Sequence, residues 1–554
     1  MLSIKNRDYF MVLNALITKS FNRINHSPDF HHSSLVDAAA WLVIGAGIFL
    51  RLRQYTLNLS FWLDEAMLAL NITNRNFAGL AHPLDYDQGA PLGFLWLVKA
   101  IQTVLGNHEY SLRLLPFLAG CLALPVFWVL ARQLVKPVGA LFALLLLAVS
   151  GYVISYAAQV KQYELDMTIA LLLYLFSMRL LRAAPCAKCP VGGKDVWLLA
   201  GLGALAIWCS HPAVFVLAGI GSVLIAQAWL KKDRRQALLY GLAAGFWMLN
   251  FAALYLIQYR GLASNSYLTG FWADYFMPLS AAAPAWAFDS LAGLFVIPGG
   301  LQGGWPSFAM LALFLIGLVS LFWRDTRSGP VCTLWVGGWV WMFAISLALT
   351  LAASSLQKYP FGGRMGLFAL PGLLICAGEG LETLRVAATR TAPRESAAFT
   401  AKLHLGTAAA LLLAGVLAYG PSTLAVDQAI APKMTENIAP TMAYLQANYR
   451  PGDGIYLYRM AIPAFRYYAP KYKFTDAPVV NGTDLHLDRQ NYAAEVKKLA
   501  GNQRAWLLFS HMTDPEYVQD REAILAAANG MGVKRREFSQ PGTLVNLYLY
   551  DLGP

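Results

Sequence analysis

Long apolar runs alternate with short polar ones along most of this chain. A bilayer core takes about 20 mostly apolar residues per helix. Runs of that kind occupy Leu35–Arg51, Ser111–Leu134, Val138–Ala157, Met167–Leu181, Val196–Cys209, Ala213–Leu230, Leu238–Ile257, Phe308–Trp323, Cys332–Ala353, Met365–Leu384 and Leu405–Leu424. They predict about eleven membrane-spanning helices. Pro91–Leu105, PLGFLWLVKAIQTVL, is apolar but short and carries Lys99 and Gln102. It predicts a helix lying on the membrane surface.

From about Asp427 the pattern changes. Long apolar runs stop, and short β-type runs appear at Ile455–Tyr458, Trp506–Phe509 and Leu544–Leu549. They alternate with helical stretches near Tyr492–Leu499 and Glu516–Ala528, after a turn at Pro451-Gly452-Asp453-Gly454. The expected fold class is an all-α polytopic membrane domain with a C-terminal α/β extracytoplasmic domain. The divisions are a cytoplasmic tail at 1–34, the transmembrane domain at 35–426 and the α/β domain at 427–554.

Composition narrows the class. Of 554 residues, 57% are hydrophobic and only 13% charged, half the usual share of about 25%. That excludes a disordered chain, a nucleic-acid binder and a soluble enzyme of ordinary surface. The net charge of +12 then reads as a membrane address. With Pro91–Leu105 on the surface, the basic clusters share one side: Lys5–Arg23, Arg132/Lys136, Arg179/Arg182/Lys188/Lys194, Lys231/Lys232/Arg234/Arg235, Arg324/Arg327 and Arg385/Arg390/Arg394/Lys402. The positive-inside rule makes that side cytoplasmic and the C-terminus extracytoplasmic. The polar start, with Lys5, Arg7, Lys19 and Arg23, reads as a cytoplasmic tail rather than a cleavable signal. Cys186 and Cys189 form a lone CxxC, which reads as an incidental loop because a zinc site needs two more ligands.

Ionisable residues near a bilayer are expensive, so those at the outer ends of spans are the candidates for chemistry. Asp64 and Glu65 follow Phe61-Trp62-Leu63. Acids there cap a helix, and they also suit a general base for a lipid-bound substrate. Lys161, Tyr163, Glu164 and Asp166 crowd the short loop QVKQYELD. The bland account is a loop with snorkelling side chains; the chemical one is a phosphate-binding cation with a facing carboxylate. Tyr359 and Arg364 lie in KYPFGGR, where Arg364 is either a membrane anchor or a phosphate clamp. His211-Pro212 occupies a short turn, where a histidine is more often a packing residue than a ligand. Asn265, Tyr267, Trp272, Asp274, Tyr275 and Phe276 fill an aromatic loop that suits a membrane interface or a sugar and prenyl chain. Asp64, Asp166 and His211 are of the types that hold a divalent metal, though spacing alone does not gather them. Asp453, Tyr456, Tyr458 and Arg466 in the C-terminal domain read as easily structural.

At these residues the sequence resembles bacterial GT-C integral-membrane glycosyltransferases. It is similar to the protein mannosyltransferase and lipid A aminoarabinose transferase branch, glycosyltransferase family 39. FWLDEA, QGAPLGFLWL, HEYSLRLLPFLAG, SYAAQVKQYELD and YPFGGRMGLFALP carry the resemblance as an ordered set. It implies that Asp64 is the catalytic base, with further carboxylates at Asp166 and Glu65. It also implies that Lys161, Tyr163, Arg364, His211 and Tyr359 hold a polyprenyl phosphate. The implied reaction is inverting transfer of a sugar from that lipid to a hydroxyl on a lipid, glycan or protein, at the outer face of the bacterial inner membrane. One departure stands out. Gly89 and Ala90 occupy the positions where aminoarabinose transferases carry a Glu-Lys pair. That argues against lipid A aminoarabinose transfer and against a metal contact through that pair. A transporter of lipid-linked sugars and a non-catalytic envelope scaffold are the competing classes. The absence of two related halves speaks against the first. The clustered outer charges speak against the second.

Overall fold

The computed structural model describes residues 34–183, 192–263, 265–327, 334–387, 389, 396–432 and 436–552. The expected tail, the CxxC pair, Lys188, Arg390 and Arg394 lie outside the described residues.

Each expected span coincides with a helix. Among the described residues, eight helices are long and apolar enough to cross a membrane. The other three are Pro137–Val149, Tyr163–Ala183 and Gly193–Cys209. The chain is a multi-pass membrane protein. Leu370–Ala387 lies at the centre of the bundle, with its residues from Leu370 to Glu382 buried. It sits that deep because glycines let backbones touch. A Cβ at Gly317 or Gly139 would collide with the carbonyl of Cys376 or Gly378, the close approach that small residues allow between membrane helices.

One expected span departs from the sequence reading. Val138–Ala157 is not continuous: Pro137–Val149 ends at Ser150, and a short helix, Gly151–Tyr156, follows. The break is paid in hydrogen bonds. Arg51, fully buried, donates to the carbonyls of Leu147 and Ala148 at 3.2 and 3.1 Å. Ser150 donates to Pro298 O at 2.7 Å. The arginine satisfies carbonyls that the helix end leaves open.

The segment Pro91–Leu105 forms helix Leu92–Leu105. Its 14 residues span about 21 Å, short of the roughly 30 Å hydrocarbon core. Lys99 donates to Ile72 O and Thr73 O at 2.8 and 3.2 Å. It thereby caps the C-terminal end of helix Leu63–Asn74. The lysine inside this apolar run is a connector between surface helices.

The last apolar helix, Ala397–Ile430, runs a few residues past the expected boundary at 426. Beyond it stands a five-stranded sheet: β1 (Gly454–Leu457), β2 (Val479–Asn481), β3 (Arg504–Phe509), β4 (Gly532–Ser539) and β5 (Asn546–Leu552). The order is β2-β1-β3-β5-β4. β2, β1 and β3 run parallel, while β5 is antiparallel to β3 and β4. Strand periodicity divides the core in two. Tyr456, Leu507 and Tyr548 pack with Tyr492, Val496 and Ile524 on one face. Ile455, Leu457, Trp506 and Leu508 face the other way, into a core continuous with the helical bundle. The sheet domain is thereby seated on the bundle.

Candidate active site

The first loop, which follows helix Ser34–Thr56, carries Asp64 and Glu65 in the first turn of helix Leu63–Asn74. The two acids take different partners. Glu65 turns inward: its carboxylate accepts from Arg113 Nε and Nη2 at 2.9 and 2.7 Å and from Val160 N at 2.8 Å. Both side chains of the pair are buried. Glu65 thus ties the first loop to helix Glu109–Leu134 and to the loop before Lys161.

Asp64 turns toward the cations. Arg364 Nη2 stands 2.8 Å from Asp64 Oδ2, and Lys161 Nζ stands 3.8 Å from the same oxygen. Burial pushes the Asp64 carboxyl up, but the Lys161 and Arg364 charges outweigh it and hold it below the ordinary range. Burial brings Lys161 down to about 8, against the attraction of Asp64. Lys161 Nζ also donates to Gln88 Oε1 at 2.8 Å. Gln88 follows two residues in left-handed conformation, Tyr86 and Asp87, and that costly backbone aims it at the lysine.

Arg364 is caged by aromatics. Its guanidinium lies 5.4 Å from the Trp272 ring centroid, 5.6 Å from Tyr163 and 5.8 Å from Trp62. Such contacts hold a cation in place without neutralising it. The glycines before it have a steric purpose. A Cβ at Gly362 would come within 2.5 Å of the Tyr275 ring, and Gly363 has φ 50°. Phe361 N donates to Tyr275 O at 2.8 Å. The aromatic loop is thereby fastened to the arginine.

Asp64, Lys161, Tyr163 and Arg364 are brought together, as the sequence predicts. Asp166, His211 and Tyr359 form a deeper layer behind Tyr163. Asp166 is buried beside Ser210. His211 packs edge-on against Tyr259, with centroids 5.1 Å apart, and burial pushes it down to about 4. Its buried Nε2 has no hydrogen-bond partner among the described residues. The Tyr359 hydroxyl donates to Met365 O at 2.9 Å. Among the described residues no group of three His, Cys, Asp or Glu is placed to hold a metal ion. Asp64 faces two cations instead and is not gathered with Asp166 and His211 into such a group.

Two residues from the C-terminal half reach this site without any warning in the sequence. Glu436 Oε2 accepts from Leu63 N at 2.9 Å, and its Oε1 pairs with His511 Nδ1 at 2.7 Å. A cavity of about 320 Å³ opens beside Arg364, lined by Trp62, Tyr152, Tyr156, Gln159, Glu436 and Asn437 among others. In the sheet domain, Asp453 accepts from Trp506 Nε1, Tyr456 donates to Glu495 and Tyr458 donates to Asp520, all at 2.9 Å. Those three maintain the domain. Arg466 crosses to the Tyr86 hydroxyl at 3.1 Å.

The family model of dolichyl-phosphate-mannose-protein mannosyltransferases matches residues 89–256. That stretch includes Lys161, Tyr163, Asp166 and His211, but not Asp64 or Arg364. No curated protein sequence matches the chain. Among solved structures, ArnT from Cupriavidus metallidurans bound to undecaprenyl phosphate is similar with a TM-score of 0.50 at 14% identity, covering 93% of this chain and 97% of that one. Its apo form gives 0.49 at 15%, with the same coverage. The oligosaccharyltransferase AglB from Archaeoglobus fulgidus, in complex with an inhibitory peptide and a dolichol-phosphate, gives 0.48 at 11%, covering 93% and 74%. The undecaprenyl-phosphate-bound structure shows that the chain shares its fold with ArnT.

Proposed function

We propose that the protein transfers a sugar from a polyprenyl-phosphate donor to a hydroxyl acceptor at the outer face of the bacterial inner membrane. The observation that carries this reading is the meeting of Asp64 with Lys161 and Arg364 at the sheet-bearing end of the bundle. A carboxylate beside two cations in a partly buried site suits a base next to an anionic leaving group. The basic clusters Arg132/Lys136 and Lys231–Arg235 fall at the opposite helix ends, which supports a site and sheet domain facing the outside of the cell.

In the reaction, the donor phosphate takes Arg364 and Lys161 away from Asp64. Losing those charges leaves burial as the dominant influence and makes the carboxylate more basic. The acceptor hydroxyl gives its proton to Asp64 while its oxygen bonds to the anomeric carbon. The bond from that carbon to the phosphate oxygen breaks, and polyprenyl phosphate leaves with the electron pair. A single displacement inverts the anomeric centre. Asp166 and His211, one layer deeper, hold the donor side of the site in register. Glu65 serves through its Arg113 pair rather than by touching substrate. The acceptor is a lipid, a glycan or a protein hydroxyl.

The test uses full-length protein in lipid nanodiscs with labelled undecaprenyl-phosphate pentoses and hexoses. Sugar transfer or donor hydrolysis that is lost in Asp64→Asn supports the reading. Translocation of the intact donor in vesicles, with no bond cleavage, overturns it in favour of a transporter. Undiminished transfer by folded Asp64→Asn removes Asp64 as the base.

A further inference from the structure

The segment that presents Asp64 is held from the far end of the chain. Ser60 N and Oγ donate to Asn437 Oδ1 at 3.2 and 2.7 Å. Phe61 N donates to the Tyr468 hydroxyl at 3.0 Å. Leu63 N donates to Glu436 Oε2 at 2.9 Å. Three main-chain N–H groups within four residues are thus taken by side chains some 370–410 positions away. No side chain of the local sequence caps helix Leu63–Asn74; its N-cap residue, Trp62, has no side-chain cap. Glu436 supplies the missing acceptor, and a carboxylate at a helix N-terminus is favoured by the dipole as well.

Glu436 is itself held by His511, in the loop after β3, with Nδ1 at 2.7 Å from Oε1. His511 sits with φ 62°, an expensive conformation for a residue with a side chain. It therefore persists because the surroundings impose it. Its ring lies tilted against Tyr517, with centroids 5.8 Å apart. The charged groups that face it are Glu436 on the linker, Asp64 on the first-loop helix and Asp514 at the start of helix Pro515–Asn529. All are acidic, and their sum outweighs burial, so His511 holds its proton to higher pH than a free histidine.

We propose that Glu436 and His511 are positioning residues for the transferase: the C-terminal domain sets the orientation of Asp64 through this pair, most firmly when the His511–Glu436 bond is charge-assisted. The inference rests on the reading of Asp64 as the base. In the imidazolium form the pair is a charge-assisted bond that fixes Glu436 under the Leu63 amide. When His511 loses its second proton, the Nδ1–H bond to Glu436 persists only as a neutral one, so Glu436 is held more weakly and the first turn of the Asp64 helix loosens.

The test compares wild type, His511→Gln, Glu436→Gln and Asp64→Asn as full-length proteins in nanodiscs, with cleavage of labelled undecaprenyl-phosphate sugar as readout. Binding of undecaprenyl phosphate alone is the control. Glutamine at 511 keeps a donor for Glu436 but cannot titrate. The expected result is a kcat roughly tenfold lower in His511→Gln at pH 6.5, with KM and undecaprenyl phosphate affinity unchanged. The loss of wild-type kcat with rising pH should disappear in the same variant. Glu436→Gln, which keeps the amide acceptor, should lose less than Glu436→Ala. Lys161 also titrates on the alkaline side, at about 8. A wild-type pH profile retained in His511→Gln therefore assigns the transition to Lys161 and overturns the proposal. If Asp64→Asn is inactive and His511→Gln is like wild type, this inference fails alone. If Asp64→Asn stays active, the reading of the base fails with it.

Discussion

Arg364 Nη2 stands 2.8 Å from Asp64 Oδ2, so the proposed base and the proposed phosphate cation neutralise one another. Donor binding must break that pair. Asp64→Asn removes the competitor from the arginine and leaves its aromatic cage intact. The expected outcome is divided: undecaprenyl phosphate binds several-fold more tightly, while turnover drops about 10²–10⁴-fold, the usual worth of a general base. Equilibrium binding and single-turnover kinetics on one preparation check both. Weaker binding in Asp64→Asn would mean that the carboxylate helps to hold the donor.

Lys161 gives the site a pH dependence with a definite sign. Burial lowers it to about 8, so it is mostly protonated at pH 7 and mostly neutral above pH 9. A bound phosphate favours the charged form, and donor binding then takes up a proton in the alkaline range. Affinity for undecaprenyl phosphate should fall about tenfold per pH unit above pH 8, as one-proton linkage requires. Lys161→Met should bind more weakly at pH 7 and lack that alkaline slope. Titrations between pH 6.5 and 9.5 distinguish the two proteins.

The glycine pair before Arg364 can be tested by a double-mutant cycle. A methyl at Gly362 would stand 2.5 Å from Tyr275 Cδ1, so the ring or the loop must move. Gly362→Ala should lower both the melting temperature and kcat/KM. In Tyr275→Ala the obstacle is gone, and adding Gly362→Ala should then cost much less. A coupling above about 0.5 kcal/mol is what residues in contact show. Additive effects would mean that the glycine serves only its own backbone.

The convergence of Asp64, Lys161, Tyr163 and Arg364 was legible in the sequence, because a membrane chain tolerates few ionisable residues at the ends of its spans. Each stood out against apolar neighbours, and topology put them on one side. Gln88, Glu436 and His511 carried no such mark. They lie in polar or aromatic loops where such residues are ordinary, and only tertiary pairing gives them a task. Glu436 and Leu63 are 373 positions apart, and no periodicity links them. In the sheet domain, β1, β3 and β5 were visible as buried apolar runs. β2 has three residues, and β4 is largely exposed with Lys534, Arg535 and Arg536 in it, so neither shows the alternation that marks a half-buried strand. The break at Ser150 was hidden because apolar residues continue on both sides of it. Arg51, which takes up the carbonyls freed there, sits about a hundred positions away.

Glu65 and Arg113 form a buried pair with three hydrogen bonds on the carboxylate, and the fate of Glu65 variants follows from that burial. Taking away one partner strands the other charge in a low-dielectric site, a loss of about 3–5 kcal/mol. Glu65→Ala should therefore be poorly folded, with a lowered melting temperature and little protein surviving detergent extraction. Replacing both partners by apolar groups removes the stranded charge. Glu65→Met with Arg113→Met should accordingly recover most of the stability that Glu65→Ala loses. Activity is the discriminating readout. Because Asp64, Lys161 and Arg364 are untouched, a folded double variant should keep a substantial share of wild-type turnover. A stable double variant with turnover as low as Asp64→Asn would instead place Glu65 among the groups that touch substrate.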